Sequence, residues 1–369
     1  MDSFIFQPKS VAHPGELVLD YLEYHGWTQS DLSRRTGISS KTISEICNGK
    51  ASISPSTSIA LERVFQRPAH FWLNMQGRYD EAEARARDFA NNATWIEWAK
   101  KFPVKEMKKR KWLPDSGSEG SDTNALLRFL SVSSPESWNT VWGAAQVAYR
   151  QTRKFETSAE AMAVWVRRVE LEAEEIDVSD FEESKLRLSL DSLRRLTRTP
   201  IDEALTSAAN ICRQSGVALV LVPELPKTGI SGCAHWANDK HAIIALTLRY
   251  KHDDQIWFTF FHELGHILLH RRKHGLIVDN AEDTLTDGIV DPDMQRLEEE
   301  ANRFSSDTLL PSSLFQTFVM KGSFSNESIH SFSERIGVGP GIVVGRLQHE
   351  GLLKPHQGNA LKQRIEWSI

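Results

Sequence analysis

Two histidines four residues apart, His262 and His266, bracket a glutamate in the run Phe261-His262-Glu263-Leu264-Gly265-His266. On a helix this spacing puts both imidazoles on one face with a rise of about 6 Å, which suits two ligands of one zinc ion. Glu263 is turned aside by one residue, where it can take a proton from a metal-bound water as general base and later hand one to a leaving amine. HExxH arises by chance in many sequences, so the surroundings matter. The helix expected over about residues 255–270 is apolar on nearly all faces, with Ile256, Trp257, Phe258, Phe260, Phe261, Leu264, Ile267, Leu268 and Leu269. Three polar side chains buried in it would be costly unless a metal satisfied them. His270 shares a face with His266, yet a third ligand from one helix could not close a tetrahedron, and a polar end to an apolar helix is the simpler reading.

Zinc in a catalytic site takes a third protein ligand and keeps a position open for water. The helix expected over about residues 293–310 supplies adjacent glutamates in MQRLEEEANRF. Its apolar stripe of Met294, Leu297, Ala301 and Phe304 leaves Glu299 on the opposite face, beside Arg296 and Arg303 in solvent. Glu298 and Glu300 flank the stripe, and only Glu298 has Asn302 four residues on, where an amide can orient a ligand histidine. Glu298 is therefore the expected third ligand. Asp279, Glu282, Asp283, Asp287, Asp291 and Asp293 in an acidic loop are rivals, although scattered loop acids are ordinarily a solvated surface. His235 and Tyr250 are candidate donors to the oxyanion of a tetrahedral intermediate. The strand over 230–236 is a candidate edge for an extended substrate, as readily as a core strand.

These residues need a scaffold. β-like runs at 217–222, 229–236 and 241–248 precede the HExxH helix and build a sheet. Upstream, residues 123–199 show apolar spacing near 3.6 with Trp138, Trp142 and Trp165 on buried faces. Before them, DSGSEGSD at 115–122 has no apolar residue and is expected to be a loop. The stretch from Trp95 to Trp112 carries a basic run, Lys100, Lys101, Lys105, Lys108, Lys109, Arg110 and Lys111, whose commoner meaning is a charged helix face. The expected division is 1–80, a helix-turn-helix unit; 81–122, a basic aromatic helical linker ending in a flexible loop; 123–204, a helical connector; 205–315, the metal-bearing unit; and 316–369, a helical tail.

The first of these units has its own grammar. Thr28 caps one helix, Gly37 supplies the tight turn, and Ser39 or Ser40 caps the next, with Ile43 and Ile46 inward. In a helix-turn-helix the second helix enters the major groove, so Ser40, Lys41, Thr42, Ser44 and Glu45 are candidate base contacts, and Gln29 beside the first cap a phosphate contact. Residues 1–80 hold eight Lys or Arg and eight Asp or Glu. A neutral head binds DNA weakly alone, and tight operator binding would need a dimer.

The wording of the segment adds to this. HPGE at its start, ICNGK at the end of the recognition helix and FWLNMQ in the closing helix make residues 13–80 resemble, nearly end to end, the lambda-repressor-like antitoxins of the HigA family. The resemblance implies an autoregulatory, dimeric transcription factor with operator DNA as partner. It admits a toxin partner without requiring one. RYKHDDQIWFTFFHELGHILLH with LEEEANRFSSDTLLP, within about residues 205–315, resembles the ImmA/IrrE family of metallopeptidases, whose pattern is an HExxH helix followed by a glutamate in ExxAN. That implies Zn2+ held by His262, His266 and Glu298, Glu263 as catalytic base, and a gluzincin-like endopeptidase whose substrate is a transcriptional repressor or the chain itself.

The expected fold is multidomain and mainly α: an all-α helix-turn-helix domain, a helical connector, and an α+β zincin-like metallopeptidase domain. The expected function is transcriptional regulation switched by cleavage of a regulator, as in mobile-element or stress responses. The alternative is a non-catalytic HigA-like repressor of a toxin-antitoxin module whose peptidase fold serves dimerisation or sensing. Composition agrees with a folded protein, with 40% apolar and 25% charged residues over 369 positions and a net charge of -5. No run approaches the ~18 apolar residues of a membrane span, the start lacks a signal-peptide pattern, and Cys47, Cys212 and Cys233 form neither a disulfide framework nor a CxxC pair. A cytoplasmic location with no membrane partner is the expectation.

Overall fold

The computed structural model describes residues 11–115, 117–142, 158–247, 249, 251–270, 276–279 and 292–365, the side chains of residues 92, 276–279 and 294 excepted. Contacts divide the chain into a first unit, reaching Ile96 and including Ser116–Asn124, and a second, Glu97–Asp115 with Ala125 onward.

The first unit is built on five helices, α1 (Pro14–His25), α2 (Gln29–Thr36), α3 (Ser40–Cys47), α4 (Pro55–Phe65) and α5 (Ala69–Thr94). The HPGE start has a physical reason at every position. His13 is the N-cap, its Nδ1 accepting from the Gly15 amide at 3.0 Å, and Glu16 closes a capping box on the His13 amide. Burial lowers the His13 pKa against the opposing pull of Asp80 and Glu16, which favours the neutral ring, and the Gly15 amide assigns the acceptor role to Nδ1. Pro14 takes the first helical turn, where no amide hydrogen is needed. Gly15 lets α1 touch α3: a Cβ there would lie 1.9 Å from the Ile46 carbonyl oxygen. Thr28 caps α2 through the Asp31 amide, Gly37 adopts a left-handed φ of 76°, and Ser39, rather than Ser40, caps α3. Val18, Leu22, Leu32, Ile43, Ile46, Leu61, Phe65 and Trp72 close the core. Helix α5 continues past the boundary expected at residue 80 to Thr94.

The loop expected at 115–122 is corrected in part. A helix, Glu119–Phe129, begins inside it. Ser118 accepts from the Ser121 amide as a cap, and Glu119 and Asp122 stand in the first turn, where the helix dipole favours acids. Caps and charges outweighed the lack of apolar residues.

The second unit centres on four strands, β1 (Val217–Leu221), β2 (Gly232–Asn238), β3 (His241–Leu246) and β4 (Leu276–Asp279), in the order β1-β3-β2-β4. β1 runs parallel to β3, and β2 runs antiparallel to both its neighbours. Side chains alternate between two cores, as the period of a strand requires. Val217, Leu219, Ala234, Ala242, Ile244 and Leu246 face a core shared with the HExxH helix. Ala218, Val220, Cys233, Ile243 and Ala245 face one shared with helix α6 (Ala159–Glu174). Trp138, Trp142 and Trp165 are buried there as expected, and so is Met107 beside the basic run. All three cysteines are buried thiols.

Helices α7 (Glu183–Arg195) and α8 (Ile201–Gln214) precede the sheet; α9 (Asp253–Leu269) and α10 (Pro292–Leu309) carry the metal motif; α11 (Ser312–Val319), α12 (Asn326–Ile336) and α13 (Pro340–His349) follow. Phe315, Phe318, Ile329, Phe332, Val343, Val344 and Leu347 of those last helices share the core of α9. Residues beyond 315 thus pack as part of this unit.

Candidate metal centre and nucleic-acid interface

Helix α9 has no solvent face over most of its length. Trp257, Phe260, Phe261 and Leu264 are wholly buried, and so are His262, Glu263 and His266. It lies against α10 through Gly265, where a Cβ would stand 3.1 Å from the Phe304 ring and 3.3 Å from the Ala301 Cα. That close approach delivers Glu298 to the two histidines. The His262 and His266 Nε2 atoms are 2.9 Å apart, and the Glu298 oxygens lie 3.1 Å from the first and 3.5 Å from the second. These three residues form a cluster whose ligand atoms all fall within 4.8 Å of one another. Two imidazoles and one carboxylate are a donor set that suits zinc.

The electrostatics agree with a cation site. Burial lowers the His266 pKa, and His262 and His270 add to that against the pull of Glu298, so the neutral, ligating form is favoured. Burial alone would raise the Glu298 carboxyl, but hydrogen bonds from His262 and His266 hold it well below the usual carboxylate range. The Glu298 side chain stays 33% exposed, so the cluster opens to solvent on its side while the histidines are sealed.

Glu263 sits one position around the helix from the ligands, against β2. A Cβ on Gly232 would fall 2.8 Å from Glu263 Oε1 and 2.7 Å from the Thr259 methyl. Glycine at 232 therefore leaves the space that the carboxylate occupies. Asn302, expected to orient a histidine, lies with its Oδ1 2.9 Å from His262 Nδ1.

One expectation is corrected and one open alternative is resolved. His235 lies on the sheet face opposite Gly232, its Nε2 3.6 Å from a Glu170 carboxylate oxygen of α6, because odd and even positions of β2 point to opposite faces. It is therefore not placed to donate to an oxyanion beside Glu263. The strand over 230–236 is not an edge, since β2 pairs on both sides and β4 is the outer strand. Tyr250 and the rival acids Glu282, Asp283, Asp287 and Asp291 lie outside the described residues, as does the Asp279 side chain; Asp293 is exposed.

Sequence reasoning missed His270 and Glu300. His270 does end the apolar helix, as expected, but at 3% exposed it is also bonded on both nitrogens, with Nδ1 3.0 Å from His266 Nδ1 and Nε2 3.0 Å from Glu300 Oε2. The signal was present in the four-residue step from His266 to His270, repeated from His262 to His266.

On the first unit, Lys41 is 84% exposed on its side chain and lies 3.9 Å from Glu45. Ser40 is exposed, while Gln29, Thr42, Ser44 and Glu45 are half-buried. Thr42 and Ser40 are tied locally, Thr42 Oγ1 to Ser39 Oγ at 2.8 Å and Ser40 Oγ to Ser33 Oγ at 3.1 Å. The inward side of α3 is Ile43, Ile46 and Cys47, so its polar side faces away from the core.

Residues 20–72 match the helix-turn-helix family, and residues 220–348 match the IrrE N-terminal-like domain of the M78 peptidases. Virulence-associated protein I of Dichelobacter nodosus is 36% identical over 69 residues, 18% of this chain and 64% of that protein. Virulence-associated protein A of the same organism is 34% identical over 73 residues, 19% of this chain and 72% of that protein. The chain thus spans a little under two thirds of the first relative and rather more of the second. The antitoxin HigA of Pseudomonas aeruginosa, solved with the higBA promoter, is 31% identical over 24% of this chain and 92% of that one, with a TM-score of 0.21. Through its N-terminal unit the chain belongs to the helix-turn-helix family, and its C-terminal unit carries an IrrE N-terminal-like domain of the M78 peptidase family.

Proposed function

We propose that this chain is a DNA-binding regulator with a zinc-dependent endopeptidase unit, and that cleavage of a regulator protein, a partner repressor or the chain itself, changes transcription. The observation that carries the reading is the convergence of His262, His266 and Glu298 beside a buried Glu263. His262, His266 and Glu298 would hold the ion, and a bound zinc would supply Lewis-acid polarisation and a water of lowered pKa. Glu263 accepts the proton of the attacking water and returns it to the leaving amine. Asn302 holds the His262 ring, and the sealed aromatic wall of α9 keeps bulk water from the histidines.

The head supplies the address. Ser40, Lys41, Thr42, Ser44 and Glu45 form the reading face and Gln29 the phosphate contact, in the manner of a dimer on a two-fold operator. A toxin is a further partner only if an antitoxin role accompanies repression.

The test is metal analysis of the full chain together with a cleavage assay on the chain and on regulators encoded beside it. Zinc near one per chain is expected, lost in His262→Ala and Glu298→Ala and retained in Glu263→Gln, with cleavage lost in all three. Zinc content unchanged in both ligand variants would sink the assignment.

A further inference from the structure

The two histidines are not held alike. His262 is fixed at Nδ1 by one group, the Asn302 amide oxygen at 2.9 Å. His266 is fixed at Nδ1 by another imidazole, His270, whose far nitrogen reaches Glu300 on α10 at 3.0 Å. Glu300 is itself 3.7 Å from the Arg296 guanidinium. His270 sits just past the last residue of α9, where its amide bonds the His266 carbonyl at 3.0 Å and its ring is buried.

The proton inventory gives this chain of contacts one direction. His266 Nε2 lies in the cluster with His262 and Glu298 and would be the ligand atom of a bound zinc, so with the ion in place the ring's proton belongs on Nδ1. An Nδ1 to Nδ1 contact needs one donor and one acceptor, so His270 accepts at Nδ1 and carries its proton on Nε2. That proton then meets a carboxylate, which only accepts. Every position is satisfied once; reversing the link between the two imidazoles would set a bare His270 Nε2 against the Glu300 carboxylate, acceptor against acceptor, and move the His266 proton to the nitrogen that faces the metal position.

We propose that His270 and Glu300 are positioning residues, a two-step relay that fixes the tautomer and ring orientation of His266 and thereby sets the affinity and symmetry of the metal site; this rests on the zinc reading above. Outer partners of ligand histidines typically change metal affinity by about 10- to 100-fold when removed. Here the partner is a second imidazole, so the influence of Glu300 on His266 passes through His270.

The experiment measures zinc affinity of the full chain by competition with a chelator, and the visible spectrum of the Co(II)-substituted protein. His270→Leu is expected to weaken zinc binding about 10- to 100-fold and to shift the Co(II) bands. His270→Asn, which can offer an amide oxygen near the place of Nδ1, is expected to restore most of the affinity. Glu300→Leu is expected to fall between wild type and His270→Leu. Wild-type affinity and an unshifted spectrum in His270→Leu would overturn the relay. If His270→Leu fails to fold, the other two variants decide: weakened binding in Glu300→Leu with near-normal binding in His270→Asn supports it, and no change in Glu300→Leu overturns it. Failure of wild-type protein to bind zinc would instead strike the reading on which the relay rests.

Discussion

The recognition helix α3 and the metal helix α9 spend their polar residues in opposite ways. Helix α3 buries only Ile43, Ile46 and Cys47 and leaves Lys41 in water. Helix α9 buries His262, Glu263 and His266 among aromatic rings and depends on α10 and β2 to complete them. A reading surface is assembled in the encounter with its ligand, so its residues cost the free protein little. A catalytic constellation must be organised beforehand, and in a low-dielectric interior each of its polar groups is expensive until matched. The head should therefore lose function without losing stability, whereas the metal unit should lose function through its packing.

The largest test of that contrast is Gly232→Ala. The added Cβ would fall 2.8 Å from Glu263 Oε1, with the Ala245 carbonyl oxygen 3.1 Å away on another side. The base must shift, while the ligands on the other face of α9 stay in place. Peptidase activity is expected to drop by about 10²- to 10⁴-fold, the range that a positioned general base contributes. Zinc content measured on the same sample should remain near wild type. Full activity would show that Glu263 does not work from this position.

That dependence on glycine also marks what the sequence could and could not disclose. The HExxH spacing, the apolar surroundings and the pairing of Glu298 with Asn302 were visible, because each is local to one helix. The helix-turn-helix was visible for the same reason, its caps and glycine turns lying within a few residues. The sheet-wide facts were not. That His235 and Gly232 take opposite faces follows from the strand's period, but which of the two faces meets α9, and whether β2 is an edge, depend on register and on β4. The contact of His270 with Glu300 was not legible either, because the partner lies on a different helix.

Next in size comes the double substitution Lys41→Ala with Thr42→Ala. Both stand on the outward side of α3, and the losses within the free head are an exposed ion pair and a hydroxyl contact. Promoter affinity by gel shift is expected to fall at least about 10-fold, since a specific base contact is worth about 1–3 kcal/mol. The thermal transition of the head and the zinc content should not move. Intact binding would mean that the reading face is elsewhere, and a collapsed head would break the contrast drawn above.

Gly15→Ala probes the head from the inside. A Cβ at 1.9 Å from the Ile46 carbonyl oxygen cannot be accommodated without separating α1 from α3. Overpacking of this kind costs about 1–3 kcal/mol, read as an earlier unfolding transition of the head alone. DNA binding should weaken only as the folded fraction falls, which distinguishes this variant from the surface pair.

The smallest effect concerns the start of α9. Asp253 is 1% exposed, with Oδ1 accepting from the Gln363 amide at 3.0 Å. Its neighbour Asp254 forms a buried ion pair with Lys362 at 2.7 Å, and glycines at 341 and 345 leave room for the two carboxylates. Burial, reinforced by the Asp254 charge, pushes the Asp253 carboxyl up to about 7, against the opposing backbone bonds and Lys362. In the unfolded chain the same group ionises near 3.8. Between those values the folded unit holds a proton that the unfolded chain has released, so stability declines as pH rises through that window. Asp253→Asn keeps the acceptor for Gln363 and removes the titration. The urea midpoint of the second unit should then decline less between pH 4.5 and pH 8 than in wild type. An equal decline in both proteins would place the titrating group elsewhere. A smaller decline in the variant would show that the segment with Lys362 and Gln363 secures the start of the metal helix at the cost of stability from neutral pH upward.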